Sequence, residues 1–205
     1  MNYQLFSAFL LITLILVLTP GPIVTLVIST GATRGTRAAL TTVAGSTVGN
    51  ALLIAAIAFG LNVVIQYTAV IFEVLRWAGA AYLIWLGIQA WRHAGAVDET
   101  VAPPKNGVYF RRGFFVAISN PKTIAFFTAF LPQFIDPALP TGHQLLVMCV
   151  VSVLMAGVTD CLWAATAGAG RSFFLRKANA RWLGRISGLA LIGGGVWLSL
   201  ARRPG

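Results

Sequence analysis

Charge is scarce in this chain. Of 205 residues, 15 are Lys or Arg and 5 are Asp or Glu, so charged side chains make up 10%, against roughly 25% in an ordinary soluble domain. Cysteine is nearly absent. Cys149 and Cys161 fall in one apolar run, and on a helix that separation is about 18 Å, too far for a disulfide. They lack metal-ligand spacing and read as small buried apolar fillers. Catalytic signatures are missing too. There is no His-Glu-x-x-His, no Gly-x-Ser-x-Gly and no Gly-x-x-x-x-Gly-Lys-Ser/Thr, which excludes the zinc-protease and serine-hydrolase patterns and intrinsic ATP drive. The expectation is a protein that is not an enzyme and carries no cofactor or metal.

Apolar residues are in excess at 58%. A bilayer span takes about 20 of them, so the total is close to six spans. That excludes a soluble globular enzyme, a disordered tail and a secreted disulfide scaffold. A net charge of +10 would suggest nucleic acid in a polar chain. Here the basic residues sit between apolar runs, so the partner is the lipid bilayer and not nucleic acid.

Six apolar segments can be cut out, at about 5–29, 40–64, 69–91, 113–135, 144–167 and 183–200. Each is helical by length, because a single segment in lipid must satisfy its own backbone. The first could pass for a signal peptide. Residues 1–4 carry no basic side chain, however, and no small-residue cleavage site follows before Gly31, so it reads as a retained span. Arg34 and Arg37 follow span one. Arg92, Lys105, Arg111 and Arg112 follow span three. Arg171, Arg176, Lys177, Arg181 and Arg185 follow span five. By the positive-inside rule these loops are cytoplasmic and the N-terminus is outside. Six spans put the C-terminus outside as well, although Arg202 and Arg203 run against the rule there.

The loop at 93–112, with Pro103, Pro104, Asp98, Glu99 and Lys105, divides one transmembrane domain into repeats at 1–92 and 113–205. Three spans per half is odd, so related halves lie inverted, as in many secondary transporters. The halves echo each other. Each opens on a span broken by proline, Thr19-Pro20-Gly21-Pro22 and Ser119-Asn120-Pro121-Lys122. Each continues with small residues followed by a polar one: Gly45, Gly49 and Asn50, then Ala156, Gly157, Thr159 and Asp160.

The two proline breaks are the sharpest local signals. Pro20 and Pro22 lack amide donors and Gly21 permits close approach, so the chain there exposes backbone groups that must face protein or water. The functional reading is a discontinuous helix that binds substrate; the bland one is a kink. Lys122 lies inside span four and could bind a substrate carboxylate, neutralise Asp160 or snorkel to the surface. Asn120 can cap a half-helix or bond substrate. Asp160 is the one carboxylate well inside a span, a candidate for amine binding or proton coupling, or for a structural pair with Lys122. Glu73 and Arg76 suit a structural pair. His93 and His143 fall in loops. Trp91 suits an interfacial anchor, and Trp77, Tyr82 and Trp85 suit packing. Gly45-x-x-x-Gly49 and Gly184-x-x-x-Gly188 allow helices to approach closely, within one chain or in a homo-oligomer.

Taken together, several motifs resemble the lysine exporter (LysE) superfamily in its threonine and homoserine exporter (RhtB-like) branch. They are Thr19-Pro20-Gly21-Pro22, residues 78–87 (AGAAYLIWLG), Asn120-Pro121-Lys122, Phe126-Phe127 and Leu131-Pro132-Gln133-Phe134, and the likeness covers nearly the whole chain. It implies a bacterial inner-membrane exporter of amino acids or related small metabolites, driven by an ion gradient, with Pro20, Gly21, Pro22, Asn120, Pro121 and Lys122 at the family's motif positions. The acidic residue that family members often carry in span two is Asn50 here, which shifts weight to Asp160. The expectation is an all-helical exporter of two inverted three-span halves that moves neutral, threonine- or homoserine-like amino acids with the proton gradient. Helix breaks slightly toward the cytoplasmic side flank the substrate, Lys122 or free amides take its carboxylate, and Asp160, with Asn50, takes its amine or the coupling proton. The alternative is a passive channel or scaffold of the same fold.

Overall fold

The computed structural model describes residues 1–65, 69–92, 94, 108–170 and 177–200. His93 and most of the polar loop, with Asp98, Glu99, Pro103, Pro104 and Lys105, lie outside the described residues, as do Arg171, Arg176, Arg202 and Arg203. The described chain is helical, and no strand occurs in it. The helices are α1 (Tyr3–Leu18), α2 (Pro22–Arg34), α3 (Thr36–Ile65), α4 (Ala69–Arg92), α5 (Tyr109–Ile118), α6 (Pro121–Phe130), α7 (Thr141–Ala169) and α8 (Lys177–Leu200). A short 3-10 turn, Leu131–Phe134, extends α6.

Two prolines set the breaks. Thr19 to Gly21 interrupts the first span, and α2 leaves α1 at 45°. Ser119 and Asn120 interrupt the other, and α6 leaves α5 at 40°. Pro22 and Pro121 each sit in the first turn of the second half-helix, where a missing amide costs nothing. Helix α5 already begins at Tyr109, so residues 109–112, expected in the loop, are its first turn. Helices α3 (over Thr36–Leu61) and α7 are each long and apolar enough to cross a membrane. The two bent pairs raise that number to four. Helix α8 adds an apolar stretch at Gly184–Leu200, and α4 lies against it.

Glycine decides which helices touch. A Cβ on Gly49 would meet Phe114 O at 2.6 Å, one on Gly45 would meet the Phe110 carbonyl, and one on Gly113 the Thr42 carbonyl. Backbone therefore lies against backbone where α3 crosses α5. A second seam joins α4 to α8: added Cβ atoms on Gly87 and Gly188 would each meet the other's carbonyl oxygen at 2.6 Å. Both Gly-x-x-x-Gly patterns thus act within one chain. The long α3 and α7 pack on each other, α2 packs on α7, and α6 lies between α3 and α4.

The two ends differ. At one end Asn2 Nδ2 donates to Asp136 Oδ2 at 3.1 Å, and Asn2 Oδ1 caps α1. Gln144 closes the loop before α7 by donating to Asp136 O and Leu139 O and accepting from Asp136 N. The Ala138 amide and Asn2 hold the Asp136 carboxyl below the ordinary carboxylate range. The other end gathers Gly31 against Ala167, Gly168 against Thr36, and Gly184 against Ala94. Arg34, Arg37, Arg92, Arg111 and Arg112 lie in the first or last turns at that end of α2, α3, α4 and α5, and Arg181 and Arg185 in the second and third turns of α8.

Several side chains face outward where packing was expected. Trp77, Tyr82 and Trp85 are exposed along α4, so in a bilayer they meet lipid. Cys161 is also exposed, beside an outward α7 stripe of Leu146, Val150, Leu154, Val158 and Leu162. Cys149 is partly buried. The pair Glu73–Arg76 forms at 2.7 Å. Trp91 is covered by the Arg185 guanidinium, 5.5 Å from its ring, which suits a membrane-edge anchor. His143 is exposed in the first turn of α7.

Gly113→Ala should lower stability in detergent by about 1–3 kcal/mol, the usual range for overpacking. Gly60→Ala, where an added Cβ meets nothing within 4 Å, should be neutral or stabilising. Melting of the two purified variants checks the contrast; equal melting would refute the seam.

Candidate functional site

The two breaks meet each other. Pro20 cannot donate an amide to Leu16 O, and α1 ends at Leu18 with the Thr19 carbonyl facing inward. Lys122 Nζ crosses from the start of α6 and donates to Leu16 O at 3.1 Å and Thr19 O at 2.7 Å. An ammonium thus sits at the carboxyl end of α1, where the helix dipole is negative. Gly21 makes room for it: a Cβ there would lie 3.0 Å from Lys122 Cε and 3.1 Å from Nζ. Asn120 caps α6 by accepting from Lys122 N at 3.1 Å. The lysine is buried, 8% exposed, so it does not snorkel.

These residues line a cavity of about 40 Å³ with Asn50 and Ser152, and with Asp160 of α7. Leu16, Ile23, Val24, Ile54 and Phe127 supply the apolar wall. Asp160 is buried and feels the charge of Lys122, yet the two make no direct ion pair. The cavity separates them. Ser46 lies beside the Asp160 carboxylate, with its hydroxyl directed at Val43 O, 3.0 Å away. That one proton can serve either acceptor. The buried Asn50 Oδ1 has no hydrogen-bond partner.

Two residues of the lining also carry unpaired backbone amides. Helix α2 has Gly21 as its cap and no side chain capping it, so Ile23 N and Val24 N lack intrahelical partners. Both residues line the cavity. The half-helices α2 and α6 therefore bring their amino ends, Lys122 and two open amides to one wall, with a carboxylate opposite. That arrangement suits a zwitterion: an anionic group at the helix N-termini and a cationic one at Asp160. A volume of about 40 Å³ is room for two or three waters and too narrow for an amino acid.

Of the residues singled out in the sequence, Gly21, Asn50, Asn120, Lys122 and Asp160 are brought together on this wall. Pro20, Pro22 and Pro121 are not among the lining residues; they shape the breaks. Sequence reasoning missed Ser46, Ser152 and Thr123. The signal for Ser46 was present: Thr42, Ser46 and Asn50 repeat every fourth residue and are all buried on one face of α3, opposite Ser152 and Asp160 on α7.

A family model of LysE type translocators matches residues 14–202. A "Homoserine/homoserine lactone efflux protein" of Salmonella typhi is 40% identical over 157 residues, 76% of each chain. A "Leucine efflux protein" of Salmonella choleraesuis is 32% identical over 139 residues, 65% of each chain. An "Uncharacterized membrane protein" of Vibrio cholerae is 31% identical across 98% of this chain and 100% of its own. No solved structure matches.

Lys122→Met should leave the Thr19 carbonyl without its donor and Leu16 O with the Thr19 amide alone, and cost about 1–3 kcal/mol of stability. Gly21→Val should have an effect of the same sign by displacing the lysine. Thermal melting in detergent measures both, and a Lys122→Met protein as stable as the parent would show that the ammonium is dispensable.

Proposed function

The chain belongs to the LysE type translocator family and is a multi-pass protein of the bacterial inner membrane; from that premise we propose that it is a secondary active exporter of amino acids. Its substrates are neutral and threonine- or homoserine-like, and the proton gradient drives them out. The observation that carries the reading is the narrow cavity that Lys122 and Asp160 both line without pairing. Relatives named as efflux proteins for homoserine or its lactone and for leucine support small amino acids as cargo and a role in transport without chemical conversion.

The residues divide the work by charge. An ammonium has three donors, and two of Lys122's are engaged by carbonyls. The third, with Ile23 N and Val24 N, takes the substrate carboxylate. Asp160 takes the substrate amine in one half of the cycle and a proton in the other. Ser46 can give its hydroxyl to the carboxylate when it is charged and back to Val43 O when it is not. The cavity's single acid disfavours a dibasic amino acid, which would bring a second cation.

Architecture supports alternating access. In our reading α1–α2, α3 and α4 form one half and α5–α6, α7 and α8 its inverted partner, each with three spans. The domain is residues 1–205, with repeats at 1–92 and 113–205. The contacts of α3 with α7 and of α4 with α8 would, in this reading, pair equivalent elements across a twofold axis. Arginine at one end and the Asn2–Asp136 contact at the other favour an N-terminus outside by the positive-inside rule. Rocking of the halves opens the cavity to each side in turn.

Cells loaded with dipeptides should release one amino acid or a few against a concentration gradient when they carry this protein, and collapse of the proton gradient should stop it. Asp160→Asn should abolish uphill export across pH 5 to 8 while leaving the protein in the membrane. Release that survives collapse and never runs uphill would instead establish a passive channel.

A further inference from the structure

Asn50 stands near the middle of α3, 5% exposed, on the wall of the narrow cavity. Its Oδ1 is fully buried and unpartnered. Exchanging the oxygen and nitrogen of the amide would not help, because then the nitrogen would take the unpartnered place. The neighbours are engaged. Ser152 Oγ donates to Met148 O at 2.7 Å, Asn120 Oδ1 accepts from Lys122 N, and Lys122 Nζ holds two carbonyls. An unfilled polar atom inside a membrane helix is costly, and this one belongs to a residue of the cavity wall.

We propose that Asn50 reads the side chain of the substrate and selects α-amino acids that carry a hydroxyl over alkyl ones of the same shape. The inference rests on the exporter reading above and deepens it. The two charged ends of an amino acid already have partners: the carboxylate has Lys122 with the α2 amides, and the amine has Asp160. What remains for Asn50 is the side chain. An amide offers one donor and one acceptor on adjacent atoms, and a hydroxyl has both to return. It donates its O–H to Oδ1 and accepts from Nδ2. An alkyl side chain leaves both atoms unfilled in a site walled by Leu16, Ile54 and Phe127. Discrimination by a buried polar group left without its partner is much steeper than discrimination by size. Asn50 lies one helical turn along α3 from Ser46, the serine that adjoins the amine partner Asp160.

The test uses the full chain purified into proteoliposomes and counterflow of labelled homoserine. Unlabelled homoserine and norvaline, which has a methyl in place of the hydroxyl, compete in parallel. The parent should prefer homoserine by about tenfold or more. Asn50→Leu, branched like asparagine but apolar and larger, should erase that preference, and a size-exclusion profile matching the parent's reports that the variant is folded. Should Asn50→Leu fail to reconstitute, Asn50→Ala carries the same ratio test. A parent that does not distinguish the two amino acids, or a ratio unchanged in the variants because a bound water fills the amide, overturns the role of Asn50 and leaves the exporter reading standing. A parent that accepts no amino acid overturns both.

Discussion

One ammonium ion holds the centre of this molecule together. Helix α1 stops in the interior, where the Thr19 amide reaches back to Ile15 O and Leu16 O but Pro20 leaves the last turn short of amide donors. In a bilayer such a helix end is untenable unless protein supplies donors. Lys122 supplies them from 103 and 106 residues away. It also gains, because carbonyl dipoles at a helix's carboxyl end are a favourable place for a buried cation. Each broken span thus corrects the defect of the other. The fit requires Gly21, since any side chain there would occupy the path of the lysine.

Around that junction the packing is a matter of surfaces without side chains. Gly45, Gly49 and Gly113 let α3 lie on α5, and Gly87, Gly188 and Gly195 let α4 lie on α8. Lipid does not drive helices together by hydrophobicity, so close van der Waals approach has to do it. Helices α3 and α7 contribute something different. Each carries a stripe of small polar residues on its buried face, Thr42, Ser46 and Asn50 on one and Ser152, Thr159 and Asp160 on the other. Most of their hydroxyls return to their own helix backbone, so the stripes stay neutral and narrow until they reach Asn50 and Asp160.

Much of this was legible in the sequence. Proline within apolar runs announced the two breaks, and lone charges announced Lys122 and Asp160, because both signals are costly in lipid and stand out locally. The glycine spacings announced close contacts but not their partners. Partners are set by azimuth, and in a chain where lipid and core are equally apolar, hydropathy carries no azimuth. That is why Trp77, Tyr82 and Trp85, expected in packing, face outward. The carbonyl acceptors of Lys122 were hidden for another reason: backbone has no letter in a sequence. Ser46 was overlooked although its four-residue spacing from Asn50 was readable, because serine in a membrane helix usually bonds its own backbone, as this one also does.

The narrow cavity has a mechanical consequence. For the transport proposed above, space for a few waters must become space for an amino acid, and the helices that bound it are rods packed edge to edge. They gain that room by moving apart in the plane of the membrane. Each loading event therefore widens the protein's footprint and does work against the lateral pressure of the surrounding acyl chains. The lipid, and not only the cargo, sets how readily the molecule opens.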